Sequence, residues 1–260
     1  MDHAAVLRDF DEQMRRDHPA GTGTRVERDE RVTRVLSTGD GWNGVVWSDL
    51  KTASADTVIA DQIRRFGAVS EPWEWKHYSY DGPADLPSRL RSAGFVPDQA
   101  EALMVAEIAE LRLDTPPPAG VELVPVRDDE GAAAVVRVHD EVFGGDHAAI
   151  GVAILAGLES QPPAVEAVLA VAGGVAVSAG RVEFPPDRDF ASLWGGGTLR
   201  QWRGRGIFRS LVAHRARLAS ERGYRYLQVD ASPDSRPILG RLGFAELAMT
   251  TPYEFHGPQD

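Results

Sequence analysis

The chain contains no cysteine, which excludes disulfides, thiolate metal sites and a cysteine nucleophile. No stretch is apolar for the about 20 residues that a membrane span requires. The opening MDHAAVLRDFDEQ is charged where a secretion signal would be apolar. Basic residues are outnumbered, 28 Lys and Arg against 39 Asp and Glu, for a net charge of -11. That balance argues against a broad nucleic-acid or anionic-membrane surface, since both need positive charge to meet phosphate. The seven histidines are scattered with no metal-site spacing. These absences predict a soluble cytoplasmic protein with no metal, no nucleic-acid partner and no membrane partner.

What is present centres on residues 190–209, FASLWGGGTLRQWRGRGIFR. Phe190, Leu193, Trp194 and Leu199 read as a strand whose end is weakened by Gly195, Gly196 and Gly197, a pattern that suggests close approach by another backbone or a ligand. Gln201-Trp202-Arg203-Gly204-Arg205-Gly206 follows, with glycines two apart at the mouth of a helix. Free backbone N–H groups there can converge on an anion of diphosphate shape. Arg200, Arg203, Arg205 and Arg209 make a local positive patch in an acidic chain. The plainer alternative is a tight strand-to-helix turn with solvated arginines. Ile207, Phe208, Leu211, Val212, Leu218 and Ala219 recur with helical period, so 207–222 is an amphipathic helix that Gly223 ends. The stretch 224–230 alternates as a strand. A triphosphate loop would end in Gly-Lys-Ser/Thr, and a dinucleotide turn would follow a first parallel strand, so neither fits.

At 260 residues the chain is long enough for one domain or two small ones. Residues 4–16 read as a surface helix. Residues 25–35 and 42–47 read as two short strands joined through Gly39-Asp40-Gly41. A helix follows from Asp56 or Thr57 to Gly67. The aromatic segment 72–80 is a strand, with Trp73 and Trp75 either filling a core or lining a pocket. A short helix around Leu86 and Leu90 and a strand over 102–108 complete this half.

Asp114-Thr115-Pro116-Pro117-Pro118-Ala119-Gly120 can neither continue a helix nor join a sheet interior, and marks a boundary. Beyond it come a strand at 121–126, a helix capped by Asp128 or Asp129, and a second helix over 148–158. A hairpin over 165–182 turns at Gly173-Gly174, and Ser235 caps a short helix that Gly243 stops. The last strand or strands lie at 245–256. Leu90-x-x-x-Gly94-Phe95 and Leu239-x-x-x-Gly243-Phe244 sit at matching places in the two halves and suggest an internal duplication.

Gln201-x-x-Gly204-x-Gly206, between strands and a helix, resembles the acetyl-CoA signature of the GCN5-related N-acetyltransferase superfamily. The resemblance covers about 120–257 and is silent on substrate. It implies an α+β acetyltransferase fold with a mixed, mostly antiparallel central sheet flanked by helices, duplicated in tandem. Residues 1–113 would be a degenerate copy with a structural or acceptor-site role, and 120–260 the acetyl-CoA-binding domain. The resemblance implies cofactor contacts from Thr198, Leu199, Gln201, Trp202, Arg203, Gly204, Arg205, Gly206 and Ile207, with Ser232 and Ser235 further on. Where the family carries its tyrosine general acid this chain has Leu239, which has no proton to give. Tyr253, or Tyr226, is then the candidate acid. Glu183 leads the candidates for the base, followed by Glu141, Asp187 and His139. The implied reaction moves an acetyl group from acetyl-CoA to a primary amine of a small molecule or peptide. A non-catalytic acyl-CoA-binding sensor or assembly module is the alternative that Leu239 leaves open, and the oligomeric state is open as well.

Overall fold

The computed structural model describes residues 1–21, 23–39, 41–68 and 72–257. In chain order the elements begin with α1 (His3–Phe10), which continues as a π-helical segment Asp11–Arg16, then β1 (Thr24–Arg28), β2 (Val32–Ser37), β3 (Gly44–Ser48) and α2 (Ala55–Gly67). They continue with β4 (Trp73–Tyr78), α3 (Leu86–Ser92), β5 (Val96–Pro97), β6 (Glu101–Glu107), β7 (Val121–Pro125), α4 (Asp129–Phe143) and α5 (Ala148–Glu159). The remainder is β8 (Val165–Ala172), β9 (Val175–Glu183), β10 (Phe190–Thr198), α6 (Ile207–Glu221), β11 (Tyr226–Ala231), α7 (Arg236–Leu242) and β12 (Ala245–Phe255). The expected class is observed: mixed, mostly antiparallel sheet with flanking helices. Among the described residues no helix is long and apolar enough to cross a membrane.

The chain forms two compact units. Unit one comprises Met1–Met104, Asp230–Leu239 and Ala245–Asp260, and unit two comprises Val105–Val229 and Gly240–Phe244. Residues 230–239 and 245–260, which belong to the second half of the chain, therefore lie in unit one.

In unit one the strands run in the order β1-β2-β3-β4-β12. Among the described residues β3 and β4 pair parallel, joined through α2, while β1–β2, β2–β3 and β4–β12 pair antiparallel. Where the sequence suggested one strand over 25–35, the structure makes two. Asp29 Oδ1 accepts from the amides of Arg31 at 2.8 Å and Val32 at 3.0 Å, a local turn that splits the run without glycine or proline. Asp40, in the turn expected before β3, lies outside the described residues. Trp73 and Trp75 settle into the core, Trp73 stacking on Phe66 with centroids 4.1 Å apart, so packing accounts for the aromatic strand. Tyr253 and Phe255 of β12 belong to the same core.

In unit two β7, β8, β9 and β10 pair antiparallel in sequence, and β10 pairs parallel with β11 through α6. The β8–β9 hairpin turns at Gly173 and Gly174, both at positive φ, as expected from the glycine pair. Asp128 caps α4 by accepting from the Gly131 amide at 2.9 Å.

Candidate functional site

The site is built from β10, the turn after it, and α6. Between Trp194 and Gly197 the β9–β10 register slips, a β-bulge, and Gly195 sits at φ +58°. A Cβ at Gly195 would lie 2.5 Å from His139 Cε1, one at Gly196 2.9 Å from Phe208, and one at Gly197 3.0 Å from Val142. The close approach anticipated at these glycines is therefore made by side chains of α4 and α6 in the same unit. The parallel β10–β11 ladder pairs Phe190, Ala191 and Ser192 with Tyr226, Leu227 and Gln228 and goes no further. Among the described residues the β10–β11 register does not continue past Ser192.

The chain then passes through one 3₁₀ turn, Arg200–Trp202, into α6. Gly204 has φ +76° and Gly206 φ +90°, conformations that favour glycine. Among the described residues the backbone amides from Gly204 to Arg209 donate to no protein acceptor; the first amide of α6 so engaged is Ser210, bonded to Gly206 O at 3.2 Å. Gly206 supplies no side-chain cap. A run of unspent donors at the positive end of a 15-residue helix is the kind of geometry to which an anion is attracted. A Cβ on Gly204 would meet nothing within 4 Å, so the space in front of it is open.

The arginines add to that field. Arg203 Nε donates to Thr198 O at 3.0 Å, and the Arg205 guanidinium lies 4.6 Å above the Trp202 ring while donating to Gln201 O. Among the described residues none of Arg200, Arg203, Arg205 and Arg209 forms an ion pair with a carboxylate. Thr198, Leu199 and Ile207 are buried and anchor the turn, Thr198 through its hydroxyl against Ser178 at 2.8 Å. Thus Thr198, Leu199, Gln201, Trp202, Arg203, Gly204, Arg205, Gly206 and Ile207 form one continuous feature of unit two. Ser232 and Ser235 belong to unit one, where their hydroxyls lie 3.2 Å apart.

The candidate catalytic groups are dispersed. Glu183 ends β9 opposite Ser192, its carboxylate accepting from Arg181 Nε at 2.9 Å. Glu141 is exposed on α4. Asp187 lies in the loop after β9, at φ +56°. Tyr253 lies in the core of unit one, 2 % exposed, with its ring edge-on to His77 and the Arg91 guanidinium 5.7 Å from its centroid. Tyr226 is buried and stacked on Phe190. Leu239 is buried as an ordinary apolar side chain.

Two groups at the bulge were not singled out as partners by the sequence. His139 Nε2 lies 2.8 Å from Gly195 O, so the proton sits on Nε2 and Nδ1 keeps its lone pair, buried and without a partner among the described residues. Burial, with the Arg181 charge, lowers the tendency of this imidazole to protonate, against the pull of the Gly195 carbonyl. Arg215 of α6 is fully buried and donates to Leu211 O, to Arg181 O at 3.1 Å and to Trp194 O at 3.4 Å. Burial first, then the Arg181 charge, bring its pKa down to about 10. The glycines that make room for it, Gly180 and Gly196, are the only sequence trace of that packing.

No family model and no curated protein matches the chain. Solved structures do. A GCN5-related N-acetyltransferase from Kribbella flavida superposes with a TM-score of 0.71 at 18 % identity, over 98 % of this chain and 95 % of that one. A tandem protein of the same superfamily from the clavulanic acid biosynthesis pathway gives 0.60 at 14 %, over 93 % and 86 %. A GCN5-related N-acetyltransferase from Sphaerobacter thermophilus gives 0.59 at 16 %, over 99 % and 87 %. The fold of this chain is the acetyltransferase fold of these proteins.

Proposed function

We propose that the chain is an acetyl-CoA-dependent N-acetyltransferase acting on a primary amine of a small molecule or peptide. The observation that carries this reading is the run of amides from Gly204 to Arg209 without protein acceptors among the described residues, with open space at Gly204 and arginines beside it that form no ion pair there. A fold alone does not specify chemistry; this turn suits a diphosphate, and β10, which leads into it, gives an extended arm a direction to follow. Acetyl-CoA supplies the activated acyl group when bound. The chain's own part is to hold the phosphates at 204–209, to align the arm along β10, and to aim strand amides at the oxygen that gains charge during attack.

Proton removal from the amine falls to Glu183 in this reading, since its carboxylate is half-exposed beside β10. His139 Nδ1 is the second acceptor near the bulge. Buried Leu239 favours solvent as the proton source for the leaving thiolate. It also keeps alive the second reading, an acyl-CoA-binding module without catalysis. The 1–113 and 120–260 halves are proposed as tandem copies, because each carries a parallel strand pair joined through a helix and a buried leucine four residues before a positive-φ glycine.

Isothermal titration with acetyl-CoA tests the placement. Gly204→Val should weaken binding at least about tenfold, and parental affinity in this variant would refute it. Acceptor-dependent release of free CoA then separates enzyme from sensor.

A further inference from the structure

Unit one contains a second polar centre that acyl transfer, as read above, does not use. Along β4, Trp73 and Trp75 enter the core, so Glu74 and Lys76 project from the opposite face. Lys76 Nζ is 2.5 Å from Asp230 Oδ2, and the two side chains are 16 % and 3 % exposed. Asp230 Oδ1 is fully buried and has no hydrogen-bond donor among the described residues. Glu101, at the start of β6, forms no ion pair among them either, and Asp230 is the charged group acting on it most strongly. Glu254 stands opposite Glu74 in the β4–β12 register. Glu74 accepts from Trp42 Nε1 at 2.8 Å, which fixes an indole that stays 44 % exposed at the rim. Glu254 is half-exposed and pairs with His256 at 3.1 Å, so three carboxylates, Glu74, Glu101 and Asp230, gather around the Lys76 ammonium, and one buried carboxylate oxygen has no donor among the described residues.

We infer that this cluster is a binding site for an organic ammonium ion, a primary amine or short diamine. Its ammonium would lie between Asp230 Oδ1 and Glu101, and its alkyl part toward the Trp42 indole. A metal ion is disfavoured: the described residues contain no carboxylate or histidine group arranged to hold one, and the Lys76 charge would repel it. An ammonium brings the N–H donors that Asp230 Oδ1 lacks and suits an aromatic rim. Burial, then the Asp230 charge, push the Glu101 carboxyl up to about 7, with Glu74 and Asp98 adding and Lys76 opposing. A cationic ligand selects ionised Glu101, so its affinity rises with pH through this range. The site lies wholly within unit one and stands or falls independently of the acetyl-CoA reading.

The test is titration calorimetry of the full chain at low ionic strength with 1,4-diaminobutane, butane-1,4-diol and calcium chloride. The diamine is expected to bind, about tenfold more tightly at pH 8 than at pH 6 given a titrating group near 7, and the diol not to bind. Glu101→Gln should weaken the diamine at least about tenfold and abolish the pH dependence. Asp230→Asn breaks the Lys76 pair and endangers folding, so Trp42→Leu on the exposed rim serves as the second variant, with several-fold weaker binding expected. Absence of diamine binding, equal binding of the diol, preference for calcium, or parental affinity in both Glu101→Gln and Trp42→Leu would overturn the assignment.

Discussion

At the scale of single residues, the glycines of this chain fall into physically different groups, and substitution separates them. Position 195 combines positive φ with a Cβ position only 2.5 Å from His139 Cε1 and 2.7 Å from its Nε2. Gly195→Ala should therefore combine left-handed strain with overpacking against a fixed imidazole, costing about 2 to 4 kcal/mol. Gly120 also has positive φ, but nothing lies within 4 Å of its Cβ position. Gly120→Ala should cost only about 1 kcal/mol. Urea midpoints of the two variants measure the difference. Gly204 was legible as a special position from spacing alone, because glycines two apart at a helix mouth have a backbone reason to be there. His139 was legible only as a titratable group on a helix; its bond to Gly195 O depends on a bulge that no local pattern announces.

At the scale of elements, α4 and α6 set the shape of β10. Asp128 fixes the first turn of α4, and Asp128→Ala should cost about 1 kcal/mol of stability. The bond of that cap lies within the first turn of α4, so calorimetry should find the acetyl-CoA affinity of the variant unchanged. The hairpin at 165–183 and helix α6 were readable because Gly173-Gly174 and Gly223 punctuate strong periodic patterns. The break between β1 and β2 was not, since Asp29 makes its turn through side-chain acceptance rather than through a recognised breaker. Arg215 was likewise hidden: an arginine on an amphipathic helix reads as solvated, and only the facing glycines 180 and 196 give it an interior place. The polar face of β4 was masked by its own aromatic side, and its partners Glu101 and Asp230 come from distant parts of the chain.

At the scale of the whole molecule, the two units exchange chain. Unit one includes β12, whose Tyr253 and Phe255 complete the core around Trp73, Trp75 and Phe95. Residues 1–113 made alone lack that strand. They are expected to show weak near-ultraviolet dichroism and a broad urea transition, whereas the full chain unfolds cooperatively. A sharp transition in the fragment would contradict this.

The pH response also belongs to this scale. Burial holds His77, His139 and His214 below the ordinary imidazole range, so the unfolded chain binds protons that the folded one refuses, and stability falls on acidification through about 6.5. Burial raises the Glu74 and Glu101 carboxyls, Glu101 to about 7, and these groups act oppositely: the folded chain takes up their protons first. Glu101→Gln removes part of that compensation. Its urea midpoint should fall more steeply than the parent's between pH 7.5 and 5.

The place of β12 has a consequence for biosynthesis. The segment that closes the first unit is translated after the whole of the second, so Trp73, Trp75 and Phe95 emerge from the ribosome on the order of ten seconds before Tyr253 and Phe255 do. During that interval the nascent chain carries an unfinished aromatic surface, and holding chaperones have a defined stretch of it to guard.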